Sequence, residues 1–127
     1  MAGGGVSSYR DLKVWQEAMV LAVQAYSITA AFPREEVFGM TSQIRRAATS
    51  VATNIAEGYG RNNTGSYVYF LKVSQGSLKE LETLLLICDR VSLAPTSDVA
   101  QLLVLCDGLG KMLRSLIRSI VRGGDNE

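Results

Sequence analysis

Residues 96–120 read TSDVAQLLVLCDGLGKMLRSLIRSI. Within this run Val99, Leu102, Cys106, Leu109, Leu113, Leu116 and Ile120 recur at alternating steps of three and four, the spacing that puts side chains on one face of an α-helix. Ala94-Pro95 breaks the chain just before it. Thr96 or Ser97 is placed to cap the first turn, and Asp98 complements the positive end of the helix dipole. Arg114, Arg118 and Arg122 fall toward the other end, where positive charge is favourable. The seam has no polar break. Exposing it would cost about 1.5–3 kcal/mol per leucine, so Leu102, Leu109, Leu113 and Leu116 are expected to be buried against other helices.

Working back from this helix, three more amphipathic segments appear, separated by punctuated breaks. The first spans residues 11–31, with Leu12, Trp15, Met19, Ala22 and Tyr26 as its apolar seam. Pro33 ends it, because proline disfavours helix in the residue before it. The second begins near Met40, after Gly39, and runs to Gly58 or a little beyond, with Met40, Ile44, Ala47, Ala48, Val51, Ile55 and Tyr59 on its apolar face. Arg61-Asn62-Asn63-Thr64-Gly65 is a turn in which Asn63 or Thr64 can cap the next helix. The third covers residues 66–93, where Leu71, Leu78 and Leu85 recur at seven and Ser74, Leu81, Leu84 and Cys88 fill the seam. Gly76 at its middle marks either a close helix crossing or a tolerated surface glycine. Four such helices joined by short loops predict an all-α fold, an antiparallel up-down-up-down four-helix bundle over residues 8–122, with flexible ends at 1–7 and 123–127.

The chain has 127 residues, enough for one domain, and 47% of them are hydrophobic. Thirteen basic and 12 acidic residues leave a formal net charge of +1, without the basic excess of a dedicated DNA binder. Cys88 and Cys106 read as reduced core residues. No secretory signal pattern and no run of about 20 apolar residues is present, so a cytoplasmic location with no membrane partner is expected.

Histidine is absent, which removes the commonest general base and metal ligand. The Glu-x-x-His di-metal site of many bundles and any Ser-His or Cys-His nucleophile pair are therefore excluded. Asp11, Glu17, Glu57, Glu80, Glu82, Asp89, Asp98 and Asp107 read mostly as solvated helix-surface groups. Gly58-Tyr59-Gly60 is too short to cradle a phosphate, and no strand precedes it. No catalytic residue, cofactor or metal site is expected, and the chain reads as a non-enzyme.

One polar constellation stands out. Gln43, Arg46, Ser50, Asn54, Glu57 and Arg61 follow one another at steps of three and four, and so line one edge of the second helix. Such a stripe is a solvated face, a polar seam packed on another helix or subunit, or a surface for a ligand or nucleic acid. Ser50 and Asn54 are indifferent helix formers, and their place at mid-helix favours the seam. Glu57 and Arg61 are an acid-before-base pair at i,i+4. Arg46 and Glu57, three turns apart, are each expected to reach a neighbouring helix.

Four stretches carry a family resemblance: Tyr9-Arg10-Asp11-Leu12-Lys13-Val14-Trp15-Gln16, Phe38-Gly39-Met40-Thr41-Ser42-Gln43-Ile44-Arg45-Arg46-Ala47-Ala48, Asn54-Ile55-Ala56-Glu57-Gly58-Tyr59-Gly60-Arg61, and Ser77-Leu78-Lys79-Glu80-Leu81-Glu82-Thr83. Together they resemble the bacterial four-helix-bundle family named after proteins encoded in intervening sequences of 23S rRNA genes, which includes the accessory protein of diversity-generating retroelements. The resemblance spans roughly residues 8–121. It implies assembly of the bundle into a homopentameric ring, and for the retroelement members a basic barrel that binds a reverse transcriptase and nucleic acid. This chain departs from the family in carrying Val51, Ala52 and Thr53 where proline is common, and in its near-neutral charge.

Two functions are therefore expected in order. The first is a homo-oligomeric scaffold or interaction module, since Val14, Leu21, Ile28, Tyr67, Leu86 and Ile87 lie outside the main seams and call for cover. That module would scaffold a protein or nucleoprotein complex. The second is an accessory protein that binds nucleic acid, structured RNA above all, through Arg45, Arg46, Arg61 and Lys72.

Overall fold

The structure, a computed structural model, describes residues 7–125, with side chains through Gly123. The expectations for residues 1–6, 126 and 127 lie outside the described residues. A single 3-10 turn, Tyr9–Asp11, leads into four helices: α1 (Lys13–Thr29), α2 (Met40–Tyr59), α3 (Thr64–Arg90) and α4 (Thr96–Asp125). A second 3-10 turn, Arg34–Glu36, lies in the α1–α2 connection. No strand occurs among the described residues. Each helix packs on two neighbours, α1 on α2, α2 on α3, α3 on α4 and α4 back on α1, which closes an antiparallel up-down-up-down four-helix bundle. The α2–α3 interface is the most extensive and the α4–α1 interface the least.

The helix ends have local causes. Ser7 donates from both its backbone N–H and its hydroxyl to Asp11 Oδ2, at 3.1 and 3.0 Å, and these bonds hold the Asp11 carboxyl below its usual value. Ser8 caps the first 3-10 turn by accepting from Arg10 N at 3.1 Å. Leu12 is extended, with φ −72° and ψ 126°, so α1 starts at Lys13 and not at residue 11. Asn63 caps α3, its Oδ1 accepting from Ser66 N at 2.8 Å. Helix α3 stops at Arg90, earlier than expected. Ser92 takes the left-handed φ of 60°, and Leu93 N donates back to Cys88 O, a closing pattern typical of helix C-termini.

Two cap and boundary expectations on α4 are corrected. Thr96 is its first helical residue and not its cap: the hydroxyl donates to Asp89 Oδ1 at 2.7 Å, tying the start of α4 to the end of α3. Pro95 O accepts from Asp98 N and Val99 N instead. The helix continues past Arg122 to Asp125.

The seams of α2, α3 and α4 fill the core as the spacing predicts, with Ile44, Val51, Ile55, Leu71, Leu78, Leu85, Leu109 and Leu113 all buried. Leu102 is also buried. Leu116 and Ile120 are only partly covered; Leu116 lies beside the start of α1, where a groove stays open. The seam of α1 is corrected. The face turned inward is Val14, Ala18, Leu21, Ala25 and Ile28, while Met19 and Tyr26 from the expected seam are 40% and 46% exposed. Both stripes have helical spacing. Ala18 and Ala25 decide between them, since both are wholly buried and their small size lets α1 approach its neighbours closely. Val14, Leu21 and Ile28 are therefore core and not surplus apolar surface.

The two thiols lie in this core. Burial, with the Glu36 carboxylate adding to it, pushes Cys88 up from 9.0 to about 11; burial and Glu82 push Cys106 to about 12. Both folded values lie above the unfolded ones. The stability these groups contribute is complete below pH about 9, and is lost as pH rises from there through about 11 and 12. A thiol reagent at neutral pH should therefore label neither cysteine until urea unfolds the chain, and the urea midpoint should fall as pH is raised above about 9.

Candidate interaction surface

The stripe on α2 divides by environment. Its middle is a polar seam inside the α2–α3 interface. Ser50 Oγ and Ser77 Oγ share a hydrogen bond of 2.7 Å, and Asn54 Nδ2 donates to both the carbonyl and the hydroxyl of Ser50, at 2.8 and 3.0 Å. One turn deeper, the fully buried Ser74 donates to Val51 O at 2.8 Å. Small hydroxylated side chains suit this position because they let the backbones approach while each polar atom keeps a partner. No buried side-chain polar atom among the described residues lacks one. Ser74→Ala should remove a bond worth about 0.5–1.5 kcal/mol without a large cavity, which a urea titration at fixed protein concentration would resolve.

The ends of the stripe face outward. Arg61 lies in the turn just beyond α2, not on its edge, and there it pairs at 2.8 Å with Glu57 one turn back; both are about half exposed. The Arg61 guanidinium also lies 4.6 Å from the centre of the Phe70 ring of α3. Glu57 does not reach a neighbouring helix, which corrects that expectation; its i+4 partner is nearer and needs no crossing of the interface. Arg46 and Gln43 are exposed and make no side-chain bond among the described residues.

The four cations considered for nucleic acid are not gathered in one place. Arg45 turns toward α1, where its Nε donates to Thr29 Oγ1 at 2.8 Å and its guanidinium covers the Tyr26 ring at 4.4 Å. Arg46 points outward from α2, and Arg61 is held by Glu57. Lys72 stands across the α3–α4 groove from Arg114, Arg118 and Arg122, with Ile117 and Val121 as an apolar floor, in a groove of about 380 Å³. In the sequence, Arg114, Arg118 and Arg122 stand out only as complements to the helix dipole. Their i,i+4 spacing was the available signal for a basic edge; that Lys72 faces it depends on the register of α3 against α4.

The Ser50–Ser77 pair has hydroxyl and amide partners and no base, and among the described residues no group of acids and thiols is arranged to hold a metal ion. Nor is any helix among the described residues long and apolar enough to cross a membrane.

A closed four-helix bundle with a hydroxyl-lined α2–α3 seam is the class of protein these features define. The chain belongs to the 23S rRNA-intervening sequence protein family, whose model matches residues 10–115. Its fold is similar to the crystal structure of a protein of unknown function from the S23 ribosomal protein family of Bacteroides thetaiotaomicron. The TM-score is 0.74 and the identity 21%, covering 82% of this chain and 97% of that one. At that identity the likeness establishes the fold alone. No curated protein matches the chain.

Proposed function

We propose that this protein is a non-enzymatic, homo-oligomeric interaction module of the cytoplasm, built as a ring of bundles with the pentamer as the expected form. The observation that supports this is apolar surface left outside a core that is already closed. On α1, Met19, Val20, Val23 and Tyr26 are exposed, Val23 to 62%; on α3, Leu86 and Ile87 are exposed, and so is Val91 just past its end. Single exposed apolar residues are ordinary, but Met19, Val23 and Tyr26 form a continuous stripe along one helix, and stripes of that kind mark interfaces. Light scattering at micromolar concentration tests the reading. A mass several times 13.7 kDa that persists at high salt is expected, because apolar packing is not screened. A mass of 13.7 kDa would overturn it.

A second reading is RNA binding, favoured by the basic groove of Lys72, Arg114, Arg118 and Arg122. It requires affinity for structured RNA that falls steeply with salt through counterion release, and a flatter salt dependence in Arg114→Ala and Arg118→Ala.

A further inference from the structure

Phe38 is 96% exposed, the most exposed of the large apolar residues, and its neighbour Val37 is 46% exposed. They form the tip of the α1–α2 connection. This tip is not slack. Glu36 N donates to Pro33 O at 2.9 Å, Val37 N to Arg34 O at 3.1 Å and Gly39 N to Glu36 O at 2.9 Å. Glu36 Oε1 also accepts from Met40 N at 3.2 Å, which fixes the tip to the first turn of α2. A phenyl ring held in water on a hydrogen-bonded loop is a pre-formed apolar knob, on a segment that carries Arg34, Glu35 and Glu36.

The other end of the bundle carries a matching recess. Where α1 starts against the later turns of α4, Leu12, Val14, Met112 and Leu116 line an apolar groove of about 530 Å³, with Lys13, Lys111, Ser115 and Ser119 around it. The 3-10 turn at Tyr9–Asp11 packs on α1 and α2 and not on α4, so among the described residues nothing covers the half-buried Leu116 on that side. Lys111 is shared with Asp107 at 3.2 Å, while Lys13 makes no ion pair among the described residues. The groove is within the size range of sites that take a small apolar group.

We infer that the Val37-Phe38 knob of one copy seats in the Leu12–Val14–Met112–Leu116 groove of a second copy, with Glu35 facing Lys13. The inference rests on the homo-oligomer reading and names its contact. A protomer cannot satisfy its own groove, because knob and groove are separated by the length of α1, 17 residues or about 25 Å. Apolar knob meets apolar groove, and acid meets base. The two patches are different surfaces, so the contact is head-to-tail, and a head-to-tail contact that closes on itself makes a ring.

Two variants test this, each at an exposed position where folding should be undisturbed: Phe38→Ser removes the knob, and Ser115→Trp fills the groove. Circular dichroism melts at matched concentration verify that both fold. Each alone is expected to fall to 13.7 kDa by light scattering. Mixed in equal amounts they should form a pair of twice that mass and go no further, since the mixture holds one intact knob and one intact groove per pair. Wild-type mass retained by Phe38→Ser would overturn the inference and leave the homo-oligomer reading standing, whereas a monomeric wild type would overturn both. Wild-type mass retained by Ser115→Trp would overturn the inference. So would a mixture that stays monomeric.

Discussion

Leu109→Ala should lower the unfolding free energy by about 2–5 kcal/mol, the range found when a buried leucine is truncated and its site only partly collapses. Leu109 is 2% exposed, and Cys106 and Leu113, one turn to either side on the same seam, are wholly buried. Helices α3 and α4 are both long and joined by a short connection, Val91 to Pro95, so α4 has little freedom to shift into the space left behind. Equilibrium urea unfolding at fixed protein concentration is the measurement. The midpoint should fall while the slope stays constant, because the area exposed on unfolding hardly changes. Val104→Ala serves as the comparison. It lies on the same helix but is 71% exposed, and should stay within about 0.5 kcal/mol of the parent. A Leu109→Ala variant as stable as Val104→Ala would mean that the α4 seam is not the core.

Gly58→Ala should also destabilise, by about 1–3 kcal/mol, although alanine is the better helix former by about 1 kcal/mol. A Cβ at Gly58 would lie 2.9 Å from Phe70 Cβ, and 3.1 Å from both the Tyr67 ring and the Tyr67 carbonyl oxygen. The nearest atoms are a β-carbon and backbone, neither of which can swing aside, so α2 and α3 would have to part here. Gly76→Ala should do the opposite. A Cβ there meets nothing within 4 Å, and the ordinary helix preference for alanine is free to act. Thermal melts of the two variants should move in opposite directions from the parent. Movement in the same direction would mean that the α2–α3 crossing is looser than these distances imply.

These two glycines show what could be read in advance and what could not. Both sit in helices, and both were visible as oddities of helix propensity. Gly76 was read as either a crossing or a tolerated surface residue, and it is the latter. At Gly58 the sequence marks only the end region of the second helix; that a side chain there would collide depends on where Tyr67 and Phe70 of the next helix come to lie. Helix number, order and the seams of α2, α3 and α4 are legible because large aliphatic residues recur there at helical spacing, in α4 without a polar break. The α1 seam was not, since two stripes of equal periodicity compete there and the inner one is marked by alanines that carry little hydrophobic signal. The Ser50–Asn54 seam was half legible. Placing two poor helix formers at mid-helix argued for partners, but Ser77 as the partner depends on register between helices. The apolar groove beside Leu12 escaped sequence reading altogether, because Leu116 belongs to an unbroken seam and only the direction taken by the first 3-10 turn uncovers it.

Sedimentation velocity of the wild-type chain across a wide range of protein concentration tests the proposed homo-oligomer most directly. A closed ring gives one discrete species, several times 13.7 kDa, whose mass stops rising once the ring is complete. A single 13.7 kDa species at every concentration would contradict it.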